Sequence, residues 1–179
     1  GNNVLFSRCY TYSIYLYYGR MSEIENKYIL DATCGGRTMW FNKQHPNVIY
    51  ADKRKEEFKL NYKRNKQHIK IEPDLLCCFT NLPFADNTFK LIVIDPPHHK
   101  FTENSIMYKK YGTLNTDWQS EFKKGFKECF RVLDNKGILI LKWSEVKHKV
   151  SDILNLIDVE PLFGHQTNKH SIWLSFMKI

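Results

Sequence analysis

The sequence has no Cys-x-x-Cys pair, although it contains five cysteines, Cys9, Cys34, Cys77, Cys78 and Cys129. An odd number without paired spacing argues against both a zinc site and a disulfide framework, and suits a reducing, cytoplasmic compartment. No apolar run approaches the roughly 18 residues that a membrane span requires. Neither a membrane nor a metal partner is therefore expected. The Gly-x-Gly-x-x-Gly turn of dinucleotide enzymes and the phosphate-cradling P-loop are also missing, so a pyrophosphate-gripping turn is not anticipated. Repeats and low-complexity tracts are absent.

What is present is a 179-residue chain with 42% hydrophobic and 15% aromatic residues, enough for one domain with a substantial core. The formal net charge of +8 favours an anionic partner, nucleic acid first, with solubility or Lys-rich usage as the plainer explanation. Residues 1–20 carry six aromatics and no acid. They read as an extension or a leader, with an aromatic substrate-gripping arm as the alternative. Residues 21–179 read as the single domain.

From Tyr28 onward, apolar strands alternate with amphipathic segments. Strands are predicted at Tyr28–Asp31, Val48–Asp52, His68–Ile71, Leu91–Asp95 and Ile138–Trp143, followed by Leu162-Phe163 and Ser171–Met177. Helices are predicted at Arg37–His45, Lys53–Lys66, Asp117–Leu133 and Glu145–Ile157. Such alternation implies an α/β fold with a Rossmann-like, doubly wound, mostly parallel sheet. The last two apolar segments lie too close for a helical crossover, so they are expected to pair antiparallel at one edge.

Three strand ends carry chemistry. The first continues Asp31-Ala32-Thr33-Cys34-Gly35-Gly36, a turn suited to a ligand with a carboxylate and no phosphate, or simply a strand-to-helix connection. The second ends at Asp52, followed by Lys53. A carboxylate 21 residues after Asp31 can accept from both hydroxyls of a ribose or cap the next helix. The third is Leu91-Ile92-Val93-Ile94-Asp95-Pro96-Pro97-His98. A buried strand there delivers an acceptor-only carboxylate, a stiff carbonyl and a flat imidazole to the sheet's carboxyl edge, where ligands bind. That set can grip a planar amino group.

Taken with Leu82-Pro83-Phe84-Ala85-Asp86-Asn87-Thr88-Phe89, this order of motifs resembles the class I S-adenosylmethionine-dependent methyltransferases over residues 28–179. More narrowly, it is similar to small bacterial and bacteriophage-type enzymes with a DPPH corner, related to the D/N-PP-Y/F/W amino-methyltransferases of nucleic acids. The resemblance implies S-adenosyl-L-methionine as cofactor, bound by Asp31, Ala32, Thr33, Cys34, Gly35, Asp52, Lys53, Cys78 and Phe79. It implies catalysis at Asp95, Pro96, Pro97 and His98. His99, Tyr108, Tyr111 and Trp143 are the candidate substrate contacts, with core packing the plainer role for Trp143.

Three positions depart from the family's pattern. Thr33 and Arg37 stand where glycines are usual, and Arg37 either pairs with the cofactor carboxylate or faces solvent. Cys78 stands where many relatives have an acid for the adenine amine. His98 replaces an aromatic ring, so it stacks on a base, donates a hydrogen bond or moves a proton. The function expected is methylation of an exocyclic amino group of a nucleobase, adenine N6 favoured, in DNA or RNA. The alternatives are a small-molecule or protein methyltransferase, or a catalytically silent cofactor- and nucleic-acid-binding module.

Overall fold

Burial of short apolar runs builds the centre of the molecule. In a computed structural model, which describes residues 26–62, 65–103 and 105–179, Leu30, Ile92, Ile94, Leu139 and Leu141 are fully excluded from solvent. The strands are β1 (Ile29–Asp31), β2 (Val48–Asp52), β3 (Glu56–Tyr62), β4 (Asn65–Ile71), β5 (Leu75–Leu76), β6 (Phe89–Ile94), β7 (Leu133–Ser144), β8 (Phe163–Gln166) and β9 (Ser171–Met177). The helices are α1 (Ile106–Tyr111), α2 (Trp118–Val132) and α3 (Val150–Leu154). Residues 1–20, expected to be an extension, lie outside the described residues.

Seven strands form one sheet in the order β5-β2-β1-β6-β7-β9-β8. The first five are parallel and β9 runs antiparallel between β7 and β8. The expected doubly wound sheet with a reversed C-terminal hairpin is therefore present. The chain reverses its direction of travel across the sheet between β1 and β6. At such a switch point the loops diverge and leave a crevice.

Several predicted helices are corrected. The described residues of 53–66 form no basic helix; β3 and β4 pair as an antiparallel hairpin from Glu56↔Ile71 to Tyr62↔Asn65. Phe58, Leu60 and Tyr62 recur every second residue, a strand's period, and the density of lysines obscured it. His68–Ile71 belongs to this hairpin, and the sheet's third parallel strand is the two-residue β5. Residues 37–45 form turns. Arg37 adopts φ 55° there and donates to the carbonyls of Lys43 (2.7 Å) and Glu72 (2.8 Å). The helix expected over 145–157 shrinks to α3, while α1 arises between the predicted strand Leu91–Asp95 and the predicted helix Asp117–Leu133. Gly164 to Gln166, expected in the loop before the last strand, belong to β8.

Helix α2 matches its periodicity: Phe122, Gly125, Phe126, Cys129 and Val132 are buried on the sheet. Near its end Arg131 explains the Leu-Pro-Phe-x-Asp-x-x-Phe run. Its guanidinium donates to the carbonyls of Leu82 (3.0 Å) and Phe84 (2.9 Å) and to the carboxylates of Asp86 and Glu128. Leu82, Phe84 and Phe89 are buried beneath this clamp. The run therefore plugs the sheet's lower end, away from the crevice. Arg131→Met is expected to cost about 2 kcal/mol, because two carbonyls and a carboxylate pair lose a charged donor. Urea unfolding checks this, with methyl transfer by the remaining folded protein unchanged.

Candidate active site

The crevice at the carboxyl ends of β1, β2 and β6 encloses about 1090 Å³. Ala32, Thr33, Cys34, Gly35, Asp52, Lys53, Phe79, Asp95, Pro97 and Tyr111 all line it. Pro96 and Trp143 line a smaller void of about 20 Å³ beneath the prolines. Cys78, His98, His99 and Tyr108 line neither. The Cys78 thiol instead accepts a hydrogen bond from the Thr80 hydroxyl. Trp143 is 1% exposed and donates its indole N–H to the His148 carbonyl, which makes it core rather than wall.

The first turn is held by its neighbours. Asp31, fully buried, accepts the Thr33 N–H (3.2 Å) and the Trp40 indole N–H (2.7 Å). Asp52 accepts the Gly35 N–H through Oδ2 (2.8 Å) and the Arg54 N–H through Oδ1 (2.9 Å). Gly35 has φ 48°, in the left-handed region that glycine adopts without a Cβ penalty. The Asp52 carboxylate thus shapes the turn and keeps lone pairs free at the cavity wall. Arg37 lines the crevice and does not simply face solvent, since its guanidinium stacks over Tyr50 (3.8 Å) and pairs with Asp74 (3.2 Å).

Burial pushes the Asp31 carboxyl up to about 7, against the two N–H donors and with the Asp95 and Asp52 charges adding to the rise. A folded-state value above the unfolded one means that its stabilising contribution is complete below about pH 4 and lost as the pH climbs through about 7. Asp31→Asn should therefore flatten the decline of stability across that interval. The difference in slope should approach 1.4 kcal/mol per pH unit, about the limit for one group. Denaturant titrations at several pH values measure it.

The corner after β6 is tied to both flanking strands. The Asp95 backbone N–H donates to the Thr33 hydroxyl (2.7 Å), and Asp95 Oδ2 accepts from Lys142 Nζ (2.7 Å). Asp95 Oδ1 is buried without a hydrogen-bond partner. His98 Nδ1 lies 3.3 Å from the Pro96 carbonyl oxygen and 3.9 Å from Asp95 Oδ1. Burial lowers the His98 imidazole below its ordinary range, opposed by the Asp95 charge. Its ring meets His99 and Trp143 edge-on.

Two residues that the sequence reading did not single out complete the site. Lys142 is the lone charge in the run Ile138–Trp143, and a cation on a buried strand signals a partner. Arg54 bridges Asp52 (3.6 Å) and Glu56 (3.6 Å). It also donates to the C-terminal carbonyls of α1, namely Tyr108 (3.4 Å), Lys109 (3.3 Å) and Lys110 (3.5 Å). This cap holds Lys110, Tyr111 and Gly112 over the crevice. Assigned to a basic helix, Arg54 gave no such signal.

No family model and no curated protein matches the sequence. In three dimensions the chain is similar to the PH0226 protein of Pyrococcus horikoshii OT3, with a TM-score of 0.55, 12% identity and coverage of 95% of this chain and 91% of that one. It is similar to a SAM-dependent methyltransferase from Methanosarcina mazei, with a TM-score of 0.53, 11% identity and 89% and 96% coverage. A TehB-like SAM-dependent methyltransferase from Corynebacterium glutamicum gives 0.52, 13% identity and 93% and 87% coverage. At such identities the likeness is one of fold. The architecture is the Rossmann-like fold of the class I SAM-dependent methyltransferases. Among the described residues no group of His, Cys, Asp or Glu is arranged to hold a metal, and no helix is long and apolar enough to cross a membrane.

Proposed function

We propose that the protein is an S-adenosylmethionine-dependent methyltransferase acting on an exocyclic amino group of a nucleobase, adenine N6 first, in DNA or RNA. The observation that carries the reading is Asp95 Oδ1, a buried acceptor without a partner on a residue that lines the crevice, sharing the His98 Nδ1 neighbour with the Pro96 carbonyl. The crevice fits the cofactor. Asp52 offers a carboxylate for the ribose hydroxyls, the turn at Gly35 leaves space where a Cβ would stand, and Phe79 supplies an apolar wall.

When bound, the cofactor supplies an electrophilic methyl group. A ring amine is a poor nucleophile because its lone pair is delocalised. Two acceptors that take its N–H groups turn the lone pair toward the methyl, so position and electrostatics carry most of the rate. Asp95 and the Pro96 carbonyl would hold the amine with its lone pair turned toward the methyl group that the bound cofactor would supply, and one N–H proton would pass to water or to the His98 imidazole. The +8 charge supports an anionic polymer as the carrier of the base, which must be unpaired or flipped out to reach the corner.

A small-molecule amine is the second reading, favoured by α1, whose Tyr111 and Gly112 reach over the crevice. Mass spectrometry of nucleosides after incubation with DNA and RNA tests the choice. An N-methylated nucleoside supports the first reading. Cofactor binding with no nucleic-acid product, and no salt-sensitive binding of oligonucleotides, would overturn it.

A further inference from the structure

The two oxygens of Asp95 have different fates. Lys142 Nζ, projecting from the middle of the sheet, takes Oδ2 at 2.7 Å. Oδ1 is buried and unpartnered. The atom in front of it is His98 Nδ1, 3.9 Å away, and the same nitrogen lies 3.3 Å from the Pro96 carbonyl oxygen. A carbonyl only accepts, so this contact puts the ring proton on Nδ1. A single N–H therefore stands across two acceptors, close to one and too far from the other for a hydrogen bond.

The acceptors themselves are fixed. Lys142 holds one carboxylate oxygen, the Thr33 hydroxyl holds the Asp95 N–H, and two prolines stiffen the chain that follows. The His98 side chain, at the start of the loop, is held there by its 3.3 Å contact with the Pro96 carbonyl and by ring contacts with His99 and Trp143, with no ion pair or covalent tie.

Building on the proposed function, we infer that Lys142 selects Oδ1 as the working oxygen and that the His98 ring is a place-holder, swung aside by an incoming primary amine. An –NH₂ group carries two N–H donors and satisfies Oδ1 and the Pro96 carbonyl together, which the imidazole cannot. After one methyl transfer a single N–H remains on the product. The product then matches the acceptor pair no better than the ring does, and His98 retakes its place. The corner is thereby specific for a primary amino group and for one methylation. His98 acts on this selectivity by occupying the acceptors, not by stacking on the base.

The test is binding, without turnover. The protein loaded with S-adenosylhomocysteine is titrated with adenosine, cytidine and guanosine and with their N-methylated counterparts, following the ¹⁵N-labelled imidazole signals. At least one amino nucleoside should shift the His98 ring signals and bind His98→Ala about five-fold tighter than the native protein, because the variant has no ring to displace. The N-methylated counterpart should bind His98→Ala about ten-fold more weakly than the amino form. Lys142→Arg should keep that discrimination and Lys142→Met should lose it. Weaker binding by His98→Ala would make His98 a stacking platform and overturn the inference, as would amino nucleosides that bind neither form. If S-adenosylhomocysteine itself fails to bind, the cofactor reading falls and takes this one with it. Binding of it without any gain from His98→Ala sinks this inference alone.

Discussion

Asp95→Asn is expected to lower methyl transfer about 10²- to 10³-fold, while S-adenosylhomocysteine affinity changes less than about three-fold. The amide keeps the carboxylate's shape. Its oxygen can still accept from Lys142 Nζ, which now holds Oδ2 at 2.7 Å. That places the amide NH₂ where the unpartnered Oδ1 stands, so a donor faces the donors of the incoming amine. Asp95→Ala is the poorer test, since it leaves a half-buried ammonium without its partner, a loss that costs about 3–5 kcal/mol when an ion pair is buried. Single-turnover transfer of labelled methyl, paired with calorimetry of cofactor binding, separates the two effects. Equal loss of both would make Asp95 a structural residue.

Gly125→Ala should destabilise the protein by about 3 kcal/mol and weaken cofactor binding at the same time. Gly125 faces the sheet from the buried side of α2. A Cβ built there falls 2.0 Å from Phe79 Cε2 and 2.4 Å from Cδ2, with the ring packed flat against the helix. The ring is 7% exposed and borders the crevice, so the space open to it is the space proposed for the cofactor. Thermal unfolding should report the loss of stability. Gly125→Ala combined with Phe79→Leu should recover most of it, because the strain belongs to that one contact. A Gly125→Ala protein with native stability would contradict the packing described.

The hairpin β3–β4 and the Lys142–Asp95 pair are not legible in the sequence. Eight basic residues from Lys53 to Lys70 mask the alternation of Phe58, Leu60 and Tyr62, so the stretch reads as a helix. Arg54, two residues beyond Asp52, was absorbed into that helix, although its guanidinium reaches across to the end of α1. Arg37 anchors its own turn, with partners at Lys43 and Glu72. In each case the partner is distant in sequence, and no local period encodes it.

The sequence by itself determined the central parallel strands β1, β2, β6 and β7, the reversed C-terminal strands and the position of the Asp31, Asp52 and Asp95 strand ends. Buried strands and an amphipathic helix are written in the spacing of apolar residues, which burial enforces locally. Only the tertiary structure decided which atoms of those strand ends remain available. Asp31 is occupied by Thr33 and Trp40, Asp52 by Gly35 and Arg54, and Asp95 by Lys142 on one oxygen alone. A carboxylate's free lone pairs depend on donors from other strands, and those meet only when the sheet is assembled.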